Sequence, residues 1–401
     1  MTTTLPGGLV LRTARPADLD RIGALLEARG EPGDALDHRL VVEDSDAGWE
    51  TCAVVVDGDR VVSTATLLDE SVRVGDVVLP AGQVELVATD QDYEGRGLVR
   101  ALMAWAHDLS AERGHVLQVM IGIPYFYRLF GYEYAIDIPR ARTLTSPPGP
   151  LAGSGLRRAT PGDLPALAAL QDEVQRGFDV AVPHTAARRR WLLEHDTSTT
   201  WVLERDGRVV ATARTGEPDD EVLVAEAAAA DGDAADRLLA ALVAELPDAT
   251  LVVVHRAGTV TGDRWEARLE EPADGAEQYY VRIARPELVL DALRPVLSAR
   301  LAGVGTARDA VVLSTFGAHY RLPVVDGALG PVEVGGTLQS PGVLGGAGVA
   351  PDQLGALLLG PLGMAGLSRR RPDVYAGSER ALFEALFQPL TADLLTYYLP
   401  W

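Results

Sequence analysis

The sequence predicts an α+β protein in three parts, the first two being copies of one unit in which a mixed sheet is flanked by helices. Three observations predict it: a motif that recurs in the second third, a second match in the same order, and Gly-rich turns between short helical runs at the end. At 401 residues the chain is also too long for a single ordinary core. Leu11-Arg12-Thr13-Ala14-Arg15-Pro16-Ala17-Asp18-Leu19 returns as Leu156-Arg157-Arg158-Ala159-Thr160-Pro161-Gly162-Asp163-Leu164. Each copy reads as a short strand, a turn and a helix. The proline sits near the helix start, where its missing N–H costs nothing, and the aspartate suits the positive end of the helix dipole. Apolar residues then follow at helical spacing, Leu19, Ile22, Leu25 and Leu26 in one copy and Leu164, Leu167 and Leu170 in the other. Downstream, the β-rich runs around Asp57-Gly58 are matched by those around Asp206-Gly207, a strong hairpin signal in both places.

Boundaries follow from composition. Thr145-Ser146-Pro147-Pro148-Gly149-Pro150, with Gly153-Ser154-Gly155 after it, reads as a linker. Arg285-Pro286 closes the second copy after a strand from Tyr279 to Ala284. The expected units are therefore residues 1–146, 155–284 and 286–401. The last opens with an amphipathic helix around Leu288 to Leu301, continues through short β-like runs and the Gly-rich turns of Gly335 to Gly348, and closes with two helical stretches and a tail.

Hydrophobic residues make up 47% and charged residues 23%, the profile of a soluble globular protein. No apolar run approaches the roughly 20 residues a membrane helix needs, and Met1 to Gly8 carries no secretory signal pattern. A lone Cys52 excludes an intramolecular disulfide and a cysteine zinc site. A cytoplasmic location is the expectation. The formal charge of −21 argues against a nucleic-acid surface and suits cationic partners, or solubility alone. The seven histidines show no metal-ligand spacing, so no metal is expected, and His107 is expected on the surface. Ser314 and Ser340 lack a nucleophile-elbow context.

One segment carries chemistry. Val84-Glu85-Leu86-Val87-Ala88-Thr89 reads as a strand, and Gly95-Arg96-Gly97-Leu98-Val99-Arg100 as a turn opening a helix with Leu98, Ala101, Leu102 and Trp105 on one side. Two glycines at a helix N-terminus point successive N–H groups at one spot, a site for a pyrophosphate. The next strand, Val116 to Ile121, runs into Gly122-Ile123-Pro124-Tyr125-Phe126-Tyr127-Arg128-Leu129-Phe130-Gly131-Tyr132.

Strand, Gly-Arg-Gly-Leu turn, helix, strand and Tyr-Arg-Leu-Phe-Gly-Tyr together resemble the GNAT superfamily of N-acetyltransferases. The three-part order resembles its Enhanced Intracellular Survival (Eis) branch. The resemblance implies tandem GNAT domains, the second degenerate, before a domain like sterol carrier protein. It implies acetyl-CoA as cosubstrate, a primary amine on an aminoglycoside-like polycation or a lysine side chain as acceptor, and assembly as a hexamer. Val87, Ala88 and Thr89 are expected to hold the acetyl and pantetheine groups, Gly95 to Arg100 the pyrophosphate, and Gly122 and Ile123 to border the cofactor. Tyr127 occupies the general-acid position, while Tyr125, Phe126, Phe130 and Tyr132 are expected to fill the core. The resemblance implies that the C-terminal carboxylate, here on Trp401, is the general base. Two departures stand out: Glu94 replaces the family's Gln or Arg, and is expected to face solvent, and Val99 replaces a small residue. The second copy loses Gly-x-Gly at Asp231-Gly232-Asp233. A different class of function, lipid or small-ligand binding through the third part, uses none of these features.

Overall fold

The computed structural model describes residues 2–30, 33–149, 155–217, 219–275 and 277–395. In chain order the first unit runs β1 (Thr2–Thr4), β2 (Val10–Thr13), α1 (Leu19–Arg29), α2 (Asp34–Glu43), β3 (Cys52–Asp57), β4 (Arg60–Val74), β5 (Val77–Thr89), α3 (Leu98–Glu112), β6 (Leu117–Met120), β7 (Glu133–Asp137) and β8 (Ala141–Thr143). The second runs β9 (Leu156–Arg158), α4 (Leu164–Gln175), β10 (Val180–Val182), α5 (Ala186–Glu194), β11 (Ser198–Arg205), β12 (Arg208–Gly216), β13 (Glu221–Ala229), α6 (Gly232–Glu245), β14 (Thr250–Val254), α7 (Val260–Trp265) and β15 (Gln278–Arg282). The third runs α8 (Pro286–Ala292), α9 (Arg294–Val304), β16 (Ala310–Ser314), β17 (His319–Val325), β18 (Ala328–Leu329), β19 (Glu333–Gly335), β20 (Ala347–Gly348), α10 (Leu354–Leu359), α11 (Gly363–Arg370), α12 (Arg380–Leu386) and β21 (Ala392–Leu394).

The repeated motif has one physical job in both copies. Arg12 grips Asp18 with two parallel hydrogen bonds of 2.7 and 2.9 Å, while Asp18 also accepts the Arg15 N–H at 2.9 Å. Arg157 grips Asp163 with two of 2.8 Å, and Asp163 accepts the Thr160 N–H at 2.7 Å. Each aspartate thus caps the turn before a helix and ties that helix to the preceding strand. The hairpins at Asp57-Gly58 and Asp206-Gly207 follow as expected, joining β3 to β4 and β11 to β12.

α3 packs on one face of the first sheet, burying Leu98, Leu102 and Trp105 against Val62, Leu67 and Val84. α1 covers part of the opposite face, burying Ile22, Leu25 and Leu26 against Val54 and Leu86. In the second unit α6 takes the place of α3, burying Leu238, Leu239 and Leu242 against Leu203, Ala213 and Val224.

The sheets do not respect the order of the chain. The first has the order β1-β2-β3-β4-β5-β6-β15-β7, and the second β8-β14-β13-β12-β11-β9. The strand after Tyr279, expected to end the second copy, lies between β6 and β7 of the first sheet, with Tyr280 opposite Met120 and Tyr279 opposite Ile136. In return, β8 closes the second sheet against β14. β10 pairs with β4, and β21, from the end of the chain, pairs with β10. A single core then joins the first sheet to the third part, with Val72, Leu79, Leu117 and Val281 against Val289, Leu297, Leu301 and Phe383. The third part has its own small sheet, β18-β17-β16-β20, with β19 on β17.

Two local expectations are corrected. The helix around Leu288 to Leu301 is broken into α8 and α9, because Pro295 cannot donate to the preceding turn and its ring crowds it. The final segment holds three short helices and a strand rather than two helices and a tail. No helix among the described residues is long and apolar enough to cross a membrane.

The Asp18 clamp generates a stability test. Asp18→Asn keeps the shape and loses the charge-assisted pair, so urea unfolding should show a loss of about 1.5–3 kcal/mol. The Arg12 guanidinium holds the Asp18 carboxyl below its usual range. The wild-type advantage should therefore be present above pH ~4 and vanish as pH falls through the folded-state value. An unchanged unfolding midpoint would contradict the assignment.

Candidate active site

β5 and β6 are parallel and pair only over Ala81–Gln83 and Leu117–Val119. β5 runs on to Thr89, so past Gln83 the two strands part and leave a wedge with an unpaired edge of β5. On its other side β5 stays paired with β4, but the register shifts between Thr66↔Glu85 and Thr64↔Ala88. Leu86 lies in that bulge at φ +52°, a conformation costly for a branched apolar side chain. The bulge redirects the strand at Val87, Ala88 and Thr89, where the wedge is open.

The turn after Thr89 prepares α3 as an anion site. Gly95 and Gly97 adopt φ of +72° and +79°, the left-handed region that side chains disfavour. No side chain caps the helix, so its first N–H groups keep their hydrogen-bonding capacity and the dipole adds positive charge. The Arg96 guanidinium lies 4.5 Å from the Tyr93 ring centre and donates to the Asp92 carbonyl at 2.8 Å. Arg100 lies over Phe130, 5.6 Å from its centre. Among the described residues neither arginine is in an ion pair. Leu98 is buried and Val99 half-buried against the core of α3. Glu94 is half-exposed and paired with Arg29, which also donates to the Thr89 carbonyl at 3.0 Å. The carboxylate that departs from the family pattern is thus neutralised from α1.

Tyr127 is 8% exposed, and its ring lies against Gly122 so closely that a Cβ there would sit 2.2 Å from a ring carbon. Gly122 is therefore needed to seat Tyr127, and it lies with Ile123 in the loop just past β6. The Tyr127 hydroxyl has no hydrogen-bond partner among the described residues. Burial, with the Glu85 charge nearby, pushes its pKa up to about 12, so it remains a proton donor. The loop is held by the exchanged strand: Tyr280 Oη accepts the Tyr125 N–H at 2.7 Å and bonds Tyr134 Oη at 2.7 Å. The Tyr280 ring meets Tyr127 edge-on at 6.1 Å.

Of the aromatic residues expected in the core, Tyr132 is buried, whereas Tyr125 is 67% exposed at φ +69°, turned outward by the loop conformation. His107, expected on the surface, is half-buried, with Nε2 3.1 Å from Tyr132 Oη. Desolvation lowers its pKa to about 4, so it is neutral. Trp401 lies outside the described residues. Leading toward it, β21 runs parallel to β10, and Leu395 donates to Val182 O at 2.9 Å. Because β10 is antiparallel to β4, this last described stretch heads along β4 from Val74 toward Thr66, opposite Glu85.

A buried polar group beneath the wedge was not singled out from the sequence. Glu85 is 6% exposed and accepts from Gln83 Nε2, and Gln83 Oε1 in turn accepts from Tyr279 Oη at 2.6 Å. Beside it, buried Arg188 of α5 pairs with buried Glu70 of β4. The available signal was a carboxylate inside the apolar run Val84 to Ala88.

The second copy keeps the frame and loses the cradle. β13 and β14 also part after four paired positions, and the β12–β13 pairing has a matching register shift between Arg214↔Glu226 and Thr215↔Val224. Here Asp231 caps α6 by accepting the Ala234 N–H at 2.9 Å. A carboxylate thus occupies the place a phosphate would take. In that wedge Glu226 is satisfied by His184, Arg214 and Gln171, each at 2.7 Å.

Residues 12–135 match the acetyltransferase (GNAT) domain family. No curated protein matches the sequence. Among solved structures, a GCN5-related N-acetyltransferase from Kribbella flavida aligns with a TM-score of 0.66 at 20% identity, over 97% of this chain and 98% of that one. One from Anabaena variabilis ATCC 29413 aligns with a TM-score of 0.69 at 14% identity, over 97% and 100%. Eis1 from Mycobacterium abscessus aligns with a TM-score of 0.62 at 16% identity, over 97% and 100%. The N-terminal third is thus a GNAT acetyltransferase domain, the protein is an acyltransferase, and its whole length has the fold of these N-acetyltransferases, Eis1 among them.

Proposed function

We propose that this acyltransferase moves the acetyl group of acetyl-CoA directly to a primary amine on a cationic acceptor, an aminoglycoside-like polycation or a lysine side chain. The observation that carries the reading is the open wedge between β5 and β6 ending at an uncapped α3, flanked by Arg96 and Arg100. In this reading the edge of β5 at Val87, Ala88 and Thr89 binds the pantetheine and stabilises the developing oxyanion. The backbone from Gly95 through Gly97, Leu98 and Val99 to Arg100 takes the pyrophosphate, while Gly122 and Ile123 border the thioester. No metal is needed. Tyr127, neutral and with no competing hydrogen bond among the described residues, protonates the departing thiolate. The carboxylate of Trp401 serves as base, which the heading of β21 and Leu395 along β4 supports. The third part acts as a sterol-carrier-like domain that brings the tail to the site, and the enzyme works in the cytoplasm as a hexamer. The charge of −21 draws cationic acceptors.

Thiol release from acetyl-CoA with a panel of polyamines, aminoglycosides and lysine peptides tests the proposal. Turnover is expected with at least one polycation, and no turnover together with no CoA binding would overturn it. Tyr127→Phe should lower kcat by about 10²-fold or more with KM for acetyl-CoA little changed. Residues appended after Trp401 should abolish turnover while CoA still binds. The ion pair at the turn gives a further expectation: Arg29→Ala exposes the Glu94 charge to the phosphates and should weaken CoA binding, and Glu94→Gln in the same chain should restore it. Equal affinity in wild type and Arg29→Ala by calorimetry would remove that role.

A further inference from the structure

We infer that the second unit carries a binding site of its own, a cavity that takes a small carboxylic acid with a short apolar body, together with one proton. The cavity lies between α4 and α5 on one side and β11, β12 and β13 on the other. It encloses about 510 Å³ of empty space, part of it at an opening to solvent. None of its described lining residues belongs to the first unit, so it is separate from the β5–β6 wedge. Three arginines, Arg189, Arg214 and Arg256, line it against a single acid, Glu226, in a chain whose net charge is −21. The lining thus reverses the balance of the chain, favouring an anion and disfavouring an amine. Leu167, Val174, Leu192 and Leu193 supply apolar walls. With Asp231 on the start of α6, a CoA-like phosphate has no seat in this unit.

His184 identifies what the cavity lacks. It is 3% exposed, and its Nε2 lies 2.7 Å from Glu226 Oε1. Against the burial that would raise it, Arg214 and His184 hold the Glu226 carboxyl below its usual range, so it is an acceptor only. Nε2 therefore carries the hydrogen and donates, which leaves Nδ1 a bare acceptor. That nitrogen is buried and has no hydrogen-bond partner, a costly state in an otherwise satisfied site. The charged groups around the ring are Arg214 on β12, Glu226 on β13, Arg188 and Arg189 on α5, and Arg256 just past β14. Arg256 is committed to Asp393 of β21 at 2.6 Å. Arg189 is held more loosely, 3.4 Å from an exposed Asp172. Desolvation, outweighing Glu226, lowers the His184 pKa to about 4, so the empty site holds a neutral ring.

A carboxylic acid O–H supplies the missing donor, and its other oxygen meets the arginine field. In neutral solution such a ligand is a carboxylate, with a pKa of ~4–5. Carboxylate and neutral imidazole must then share one proton drawn from solvent, whichever of the two holds it.

Calorimetry on the full chain with hexanoate, from pH 6 to 8 in buffers of different ionisation heat, tests the inference. One site per chain is expected, with one proton taken up and affinity falling about tenfold for each unit of rising pH. Butyrate, two methylenes shorter, should bind about tenfold more weakly. His184→Gln keeps a donor for Glu226 and should abolish both the proton uptake and the pH slope. Arg189→Gln should weaken binding about threefold or more while one proton is still taken up. No saturable binding of hexanoate would overturn the proposal, as would binding without proton uptake. Hexylamine or hexan-1-ol binding as tightly as hexanoate would overturn it equally, assigning the site to a cation or a neutral hydroxyl. Should His184→Gln not fold, the imidazole NMR signal of His184 in the wild type must move on adding hexanoate, and an unmoved signal contradicts the proposal. Binding is read without turnover, so failure of the acetyl-transfer reading leaves this result unaffected.

Discussion

The seating of β15 between β6 and β7 is the constraint on which the rest of the site depends. Without it β6 would be an edge strand, β7 would have no ladder, and the loop carrying Tyr127 would lose its floor. The two tyrosines of that strand face different parts of the site. Tyr280 pins the Tyr125 backbone and backs the Tyr127 ring, while Tyr279 fixes Gln83 and, through it, Glu85. A strand that comes after the whole second unit therefore positions both Tyr127 and the buried Glu85 of the first. The reciprocal insertion of β8 beside β14 makes the exchange two-way, and β21 with β10 ties in the third part.

Within that frame, one backbone irregularity separates two strands that would otherwise pair along their length. Both copies keep the register shift and the parting of strands, so the wedge is a property of the duplicated frame. What differs is small and local. The first copy leaves the helix start bare behind two left-handed glycines, and the second fills the same place with the Asp231 carboxylate. Among the described residues Glu85 accepts one hydrogen bond, from Gln83, whereas Glu226 is held by three partners. Two carboxylates, Asp231 and Glu226, thus set the second wedge apart from the first.

Much of this was legible in the sequence because it is encoded locally. The Arg12/Asp18 and Arg157/Asp163 clamps, the Asp-Gly hairpins and the glycines before Leu98 each act within a few residues, so spacing reveals them. Tyr127 was legible as part of a contiguous motif. The exchange of β15 and β8 was not, because Tyr279 to Arg282 reads as a strand wherever it pairs and nothing in its pattern names a partner. Glu94 looked unfavourable because its neutralising partner, Arg29, lies on a different element. His107 and Tyr125 exchanged their expected places, since a helix face and a loop tip bury side chains by their contacts and not by hydrophobicity alone.

The claim that the first unit cannot complete its site alone is tested most directly by dividing the chain in the linker. Residues 1–148 and 155–401 would be expressed separately and together, with folding followed by urea unfolding and CoA binding by calorimetry. The structure predicts that neither piece alone unfolds cooperatively or binds CoA, and that co-expression gives a stable complex that does both, since β8 and β15 must cross between them. Cooperative unfolding and full CoA affinity in residues 1–148 alone would contradict it.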